Sequence, residues 1–226
     1  MEKWAVIVAG GSGTRMGADM PKQFMLLNHQ PVIIHTIKKF SSCHIVLVLP
    51  EAQLSYWHQL ARPYRSSLSD LKVVVGGDTR TESVMNGLRQ VPDGVLVAIH
   101  DGVRPLVSTT LIEQSFRQAQ EHGSAIAAID CTDSLRLDLH PIDRQRVMLM
   151  QTPQTFRSEL IREAYRQLKE KNSAAGTFTD DAMVFEAAGH TPHFIKGERG
   201  NIKITLPVDL RIAQALLGEP PSDRAD

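Results

Sequence analysis

Cysteine is nearly absent from this chain: Cys43 and Cys131 are the only two in 226 residues. Neither has a metal-ligand spacing and two thiols make no disulfide framework, so the expectation is a pair of buried free thiols in a reducing cytoplasm. An excess of either charge is also missing, since Lys+Arg and Asp+Glu both number 25. Without such an excess the chain has no general field to gather nucleic acid or a membrane surface, and any phosphate it binds is held by locally placed cations. No apolar run approaches the roughly 18 residues that cross a bilayer, and the N-terminus enters an apolar strand directly, with no signal peptide. Internal repeats, low-complexity blocks and linkers are lacking as well. Length and composition are compatible with one large α/β domain in a soluble, intracellular protein, with neither nucleic acid nor membrane expected as a partner.

What is present begins with glycine. The run Trp4-Ala5-Val6-Ile7-Val8 reads as a buried strand, and Ala9-Gly10-Gly11-Ser12-Gly13-Thr14-Arg15-Met16-Gly17 follows it, then Pro21-Lys22-Gln23. A glycine-rich loop leaving the C-terminal end of a strand lets backbone N–H groups close on phosphate oxygens. The dinucleotide fingerprint G-x-G-x-x-G is not met, because the glycines stand at Gly11, Gly13 and Gly17 and Pro21 stops any helix begun at Gly13. The P-loop triplet G-K-[ST] does not occur. This is a third kind of loop, non-helical and doubly cationic through Arg15 and Lys22.

Strand-like and helix-like segments then alternate, as in a sheet with helical crossovers. Helices are expected over Pro31–Phe40, Glu51–Ala61, a segment capped by Thr79 or Thr81, a segment capped by Ser108, Leu160–Leu168, Asp180–Ala188 and Pro207–Leu217. Strands are expected at Ile45–Leu49, Lys72–Val75, Val95–Ile99, Ala125–Ile129, His193–Ile195 and Asn201–Thr205. Val95–Ile99 is continuously apolar, the pattern of a central strand covered on both faces. Residues 131–150 break the alternation: Ser134–Leu139 reads as a half-exposed strand, Pro141 and Asp143 as a turn, and Val147–Met150 as its return. Such a ribbon is marginal alone and needs a partner, the parent domain or a second subunit, of which the interruption favours the subunit. The expected organisation is one domain over 1–217 with an arm at 131–150 and a flexible tail over 218–226.

Function in such sheets gathers at the carboxyl ends of strands. Those ends here carry the cationic glycine loop, Gly76-Gly77-Asp78-Thr79-Arg80-Thr81-Glu82-Ser83, and His100-Asp101-Gly102-Val103-Arg104-Pro105, with Lys203 in the last strand-like run. Each has a plainer alternative. Arg15 and Lys22 as solvated loop charges, Gly76-Gly77 as a turn, Asp101 as a turn cap and Lys203 as a snorkelling lysine would serve the fold alone. The nine histidines show no ligand pairing, and no Ser/His/Asp or Cys/His arrangement can be traced. Many cations, glycines and one placed carboxylate, without a nucleophile or general base, suit a reaction whose nucleophile is a substrate phosphate. Such a phosphate attacking the α-phosphorus of a nucleoside triphosphate needs positioning and charge neutralisation above all.

At this point the residues resemble a family. Ala9–Met16 with Pro21-Lys22-Gln23 is similar to the signature of nucleotidyltransferases that activate sugar and polyol phosphates. Gly76-Gly77-Asp78-x-Arg80-x-x-Ser83, His100–Pro105, Gln151-Thr152-Pro153-Gln154, Thr179-Asp180-Asp181 and Asn201–Thr205 occur in family order. Together they resemble the 2-C-methyl-D-erythritol 4-phosphate cytidylyltransferases of the non-mevalonate isoprenoid pathway, over roughly residues 3 to 217. The resemblance implies a Rossmann-like three-layer α/β domain, a mostly parallel sheet and a protruding β-arm that makes a homodimer. It also implies a cytidylyl transfer from CTP to the polyol phosphate, with Mg²⁺ as cofactor.

By the same resemblance, Gly10, Gly11 and Gly13 wrap the triphosphate, and Arg15 and Lys22 are the catalytic cations. Ala9, Gly10, Gly77, Asp78 and Ser83 read cytosine. Asp101, Arg104, Thr179 and Lys203 hold the acceptor, with Asp101 also near the metal. Ser134 and Arg144 belong to the arm, Arg144 reaching the acceptor phosphate in the partner's site. This chain departs from the family in Asp133-Ser134-Leu135-Arg136, where a threonine and a lysine are usual, and in Gly102-Val103, where Ala-Ala is common. Ribitol-5-phosphate cytidylyltransferases share nearly every motif and stand as the alternative, with a catalytically silent nucleotide-binding protein behind them.

Overall fold

The first apolar run divides the interior in two. In the computed structural model, which describes residues 1–10, 20–68, 70–170 and 178–218, Lys3–Val8 forms β1. Side chains alternate across a strand, so Ala5 and Ile7 join one buried cluster while Trp4, Val6 and Val8 join another. The first cluster is closed by α1 (Val32–Lys39), α2 (Leu54–Leu60) and α4 (Thr109–His122). The second is closed by α3 (Arg80–Leu88), α5 (Ser158–Glu170) and α6 (Asp181–Ala187). The result is a sheet with helices on both faces, the mixed α/β architecture with a mostly parallel sheet that the sequence predicts.

Short elements fill the chain between the main ones. Leu26–Leu27 (β2) and Gln30–Pro31 (β3) make a small ribbon, followed by β4 (His44–Leu49), β5 (Lys72–Val75) and β6 (Leu96–Asp101). Next come β7 (Ser124–Asp130), β8 (Leu135–Leu137), β9 (His140–Ile142), β10 (Met148–Arg157) and β11 (Phe194–Lys196), and α7 (Pro207–Leu217) ends the described chain but for Gly218. The seven-stranded sheet has the order β11-β7-β10-β6-β1-β4-β5. Pairs β6–β1, β1–β4, β4–β5 and β11–β7 are parallel, whereas β10 runs antiparallel to both its neighbours. Every residue of β6 is buried, as its apolar run predicts.

Three expectations need correction. The return strand of the 131–150 segment is His140–Ile142 and includes Pro141, and the turn falls at Asp138-Leu139, both with positive φ. A two-residue turn with left-handed central residues matches strand twist, which is why the hairpin closes there. Val147–Met150 is instead the start of β10, which continues to Arg157 inside the main sheet. Finally, Asn201–Thr205 is not a strand; among the described residues its one backbone bond to a distant segment is from Ile204 N–H to the Val103 carbonyl.

β10 tolerates its proline through a bulge. Gln151, Thr152 and Pro153 stand opposite Ala127 alone, between the pairs Met150–Ala128 and Gln154–Ile126. A residue without an N–H belongs at such an irregularity. The Thr152–Pro153 bond is cis.

Candidate active site

Three strand ends meet on one side of the sheet. β1 delivers Ala9 and Gly10, β5 delivers Gly76-Gly77, and β6 ends on Asp101. Between them lies a cleft of two adjoining lobes that share Arg80, Asp101 and Lys203. The first lobe, of about 240 Å³, is lined by Ala9, Gly10, Lys22, Gly77, Asp78 and Ser83 among others. The second, of about 210 Å³, has Arg104, Gln151, Gln154, Thr179 and Asp180 in its wall. The described residues expected to bind nucleotide thus line one lobe; of those expected to bind acceptor, Arg104 and Thr179 line the other, and Asp101 and Lys203 border both. Gly11, Gly13 and Arg15 lie outside the described residues.

In the loop that leaves β5 two glycines are required by close approach. A Cβ on Gly77 would sit 2.3 Å from Glu82 Cβ, and one on Gly76 would sit 2.7 Å from Ser83 Oγ. The Ser83 hydroxyl accepts from Gly77 N–H at 3.1 Å, so the loop is tied to the helix that follows it. Ala9 donates its N–H to the Val48 carbonyl, and its own carbonyl accepts from Gln23 Nε2 at 2.9 Å. What Ala9 offers a ligand is therefore the second lone pair of that carbonyl. Gln23 is buried and pins the loop exit to β1, a role the motif Pro21-Lys22-Gln23 did not itself disclose.

Asp101 is the charged centre. Its Oδ2 faces Lys203 Nζ at 3.0 Å and Arg104 Nε at 3.2 Å, and its Oδ1 faces Arg80 Nε at 3.8 Å. Burial opposes ionisation of this carboxyl, but Lys203, then Arg80 and Arg104, outweigh it and hold Asp101 well below the usual carboxylate range. The main chain supports the arrangement, with Asp101 N–H donating to Thr152 Oγ1 at 3.1 Å. Arg104 is fixed by donating Nη1 to the Asn201 carbonyl at 2.8 Å, and Asn201 donates Nδ2 to the Thr152 carbonyl at 2.8 Å. Lys203 is aimed by its neighbours: Ile204 is fully buried beside Leu27, Val32 and Val103, and Ile202 packs on the same cluster. An alternating segment with its apolar side anchored presents the intervening lysine to the cleft.

Sequence reasoning left the anchor of Arg80 unread. Its Nη1 and Nη2 form a two-pronged pair with Asp181 Oδ1 and Oδ2 at 3.0 and 2.7 Å, and Asp181 is fully buried. Tyr165 donates its hydroxyl to Asp181 Oδ1 at 2.6 Å. Gln154 Oε1 accepts from the N–H groups of Asp181 and Ala182, both at 2.9 Å. The only advance signal was the spacing Thr179-Asp180-Asp181, which gave order but no partner.

Ser134 and Arg144 are exposed and line neither lobe; Arg144 donates Nη1 to the Thr132 carbonyl at 2.9 Å. Among the described residues no group of three or more His, Cys, Asp or Glu side chains could hold a metal ion, and no helix is long and apolar enough to cross a membrane. A divalent cation here would have Asp101 as its protein carboxylate and take its remaining oxygens from phosphate and water, the usual habit of Mg²⁺. A larger groove of about 450 Å³ between α3 and α5 lacks any such convergence of strand ends.

The arrangement can bind two anionic ligands side by side and neutralise charge where they meet. Comparison with known proteins agrees in kind. A profile of the family described as IspD, 2-C-methyl-D-erythritol 4-phosphate cytidylyltransferase, matches residues 4–219. The chain is 50% identical over 224 residues to 2-C-methyl-D-erythritol 4-phosphate cytidylyltransferase of Porphyromonas gingivalis, covering 96% of this chain and 98% of that one. It is 42% identical over 225 residues to the protein of the same name from Bacteroides thetaiotaomicron, covering 96% of this chain and 100% of that one. The crystal structure of the Thermus thermophilus protein of that name superposes with a TM-score of 0.79 at 28% identity, covering 96% of this chain and 98% of that one.

Proposed function

Because this chain belongs to the 2-C-methyl-D-erythritol 4-phosphate cytidylyltransferase family, we propose that it transfers the cytidylyl group of CTP to 2-C-methyl-D-erythritol 4-phosphate. The products are 4-diphosphocytidyl-2-C-methyl-D-erythritol and pyrophosphate. The observation that carries the reading is the junction of the two lobes, where Asp101 gathers Lys203, Arg104 and Arg80. A nucleotide in the first lobe and a polyol phosphate in the second would bring the α-phosphorus and the attacking oxygen to that junction.

An acceptor phosphate oxygen attacks the α-phosphorus, a P–O bond forms, and the bond to the bridging oxygen of the β-phosphate breaks. Pyrophosphate leaves with the electron pair. The nucleophile is already anionic near neutral pH, so a general base has no task. The residues work by placement and charge: Lys22 in the first lobe and, by family resemblance, Arg15 neutralise the phosphate in the transition state. Gly77, Asp78 and Ser83 read the base, while Arg104, Thr179 and Lys203 hold the acceptor. Mg²⁺, when bound with Asp101, supplies charge neutralisation on the triphosphate.

The 131–150 segment completes the reading. Among the described residues its strands β8 and β9 pair only with each other, and they leave Leu137 and Leu139 exposed at 63% and 86%. These features support a homodimer in which Ser134 and Arg144 act in the partner's acceptor lobe. A cytoplasmic working place is consistent with two free cysteines.

The test is to follow pyrophosphate from CTP, Mg²⁺ and either methylerythritol 4-phosphate or ribitol 5-phosphate. Turnover with the former is expected, and the named relatives favour it over the ribitol reading; preferential turnover of ribitol 5-phosphate overturns the assignment. Lys22→Ala is expected to lower kcat by about 10²–10³-fold, the scale of one lost transition-state donor. Normal CTP binding by that variant, with no pyrophosphate from the wild type, would favour a silent binding protein.

A further inference from the structure

Of the described side chains that border both lobes, Arg80 is the one clamped from behind by a buried carboxylate. Its two Nη groups are occupied by Asp181, whose oxygens are fully buried, and Tyr165 closes the same carboxylate from a third direction. A guanidinium held by a two-pronged pair cannot rotate about its long axis without breaking both bonds. Its Nε edge is thereby directed at Asp101 Oδ1, 3.8 Å away. Lys203 and Arg104 both engage the other oxygen, Oδ2. Oδ1 is therefore the oxygen presented to a ligand, and Arg80 stands beside it.

The anchor reaches both halves of the cleft. Arg80 opens α3 directly after the loop Gly76–Thr79, whose Gly77, Asp78 and Thr79 line the first lobe. Asp181 opens α6 directly after Thr179 and Asp180, which line the second. Gln154 ties this α6 terminus to β10 by accepting from Asp181 and Ala182, and donates Nε2 to Asp180 Oδ2 at 3.2 Å. Such a chain of satisfied buried groups has little freedom to relax.

We propose that Arg80 is a positioning residue for the transfer: anchored by Asp181 and Tyr165, it fixes the ligand-facing oxygen of Asp101 and locks the acceptor lobe to the nucleotide lobe. Arg80 acts through Asp101 and the α6 terminus and does not touch the reacting phosphorus. This rests on the cytidylyl-transfer reading. Its effect falls on the acceptor more than on CTP, because its anchor Asp181 directly follows Thr179 and Asp180, which line the acceptor lobe alone.

Removing Arg80 alone would leave Asp181 charged and unpaired in the interior, which is strongly destabilising. The informative variant replaces the whole buried set, Arg80→Met with Asp181→Leu and Tyr165→Phe, leaving neither a lone charge nor an orphaned hydroxyl. Exchanges of this kind are often neutral for stability. Steady-state kinetics with each substrate varied in turn, CTP titration calorimetry and thermal unfolding are measured together. The expected result is a melting midpoint close to wild type, a CTP affinity within about twofold, and an acceptor KM raised about tenfold or more, the order of one lost charged contact. A stably folded triple variant with wild-type acceptor KM overturns the proposal, as does a loss confined to kcat. Should the triple variant fail to fold, Arg80→Lys decides: it keeps a cation without the fork, and acceptor KM is expected to rise severalfold with CTP affinity unchanged. Wild-type acceptor KM in that variant overturns the proposal. Wild-type turnover separately tests the activity reading, and the variant ratios are taken with whichever acceptor the wild type uses.

Discussion

His100 lies fully buried one position before Asp101, its ring tilted against that of Phe40 at 4.9 Å between centroids. Its Nε2 lies 3.2 Å from the Arg104 carbonyl, which can only accept, so Nε2 carries the proton. Nδ1 has no hydrogen-bond partner among the described residues. Burial, opposed by the Arg104 carbonyl and Asp101, lowers the pKa of this imidazole from 6.5 to about 4. Above pH 6.5 both folded and unfolded chains hold it neutral. Below that, the unfolded chain takes a proton that the folded chain refuses until about pH 4. Stability should therefore fall with acid across this window, by up to roughly 3 kcal/mol. Asp101, whose folded pKa is depressed, adds to the loss only below the ordinary carboxylate range. Urea denaturation at several pH values between 6.5 and 4 checks this against His100→Asn, whose dependence should be flatter by up to one proton, about 1.4 kcal/mol per pH unit. An unaltered slope in the variant would mean that His100 protonates as freely in the fold as out of it.

At the scale of elements, the start of α3 both ends a helix properly and shapes the first lobe. Thr79 Oγ1 accepts from Glu82 N–H at 3.1 Å, and the Glu82 carboxylate accepts from Thr79 N–H at 3.0 Å, a reciprocal capping box. Two substitutions separate the tasks. Thr79→Ala should cost about 1 kcal/mol of stability through the lost cap and little CTP affinity. Gly77→Ala drives a methyl against Glu82 Cβ, so it should cost about 1–3 kcal/mol and also weaken CTP binding about tenfold. Thermal unfolding with calorimetric titration distinguishes them; a Gly77→Ala protein that binds CTP normally would place the base elsewhere. The parallel strands and the caps at Thr79 and Ser108 were legible because local chemistry decides them. β10 was not, since its polar residues suggest a loop until their partners are known: Thr155 donates to Ser115 Oγ at 2.8 Å, and Gln154 serves α6. Asn201–Thr205 misled in the opposite sense, because alternation encodes which side packs and says nothing of ladder pairing. Asp101 and Gly77 could be found from topology alone. Asp181 and Tyr165 could not, because Asp181 meets Arg80 only across a separation of 101 residues.

For the whole molecule the decisive question is whether the site is built by one chain or two. Arg144→Ala should weaken polyol phosphate binding and leave CTP affinity nearly unchanged; equal loss of both would make the arm structural. Mixing Arg144→Ala with Lys22→Ala subunits gives a sharper check, since a heterodimer would contain one intact site if Arg144 acts across the interface. About a quarter of wild-type turnover should return on random exchange in a twofold assembly, and none if each chain is self-sufficient. The path of β10 bears on how chain length in this region can vary. The strand leaves the exposed segment as Met148–Met150 and reaches Gln151, Thr152 and Gln154 of the acceptor lobe with no loop between. Insertion or deletion of one residue before the bulge would turn over every later side chain, exchanging cavity-facing and core-facing positions. Length changes at the Asp138-Leu139 tip leave this register untouched, so the outer hairpin is free to diverge while the stretch from Met148 to Arg157 is locked in reading frame.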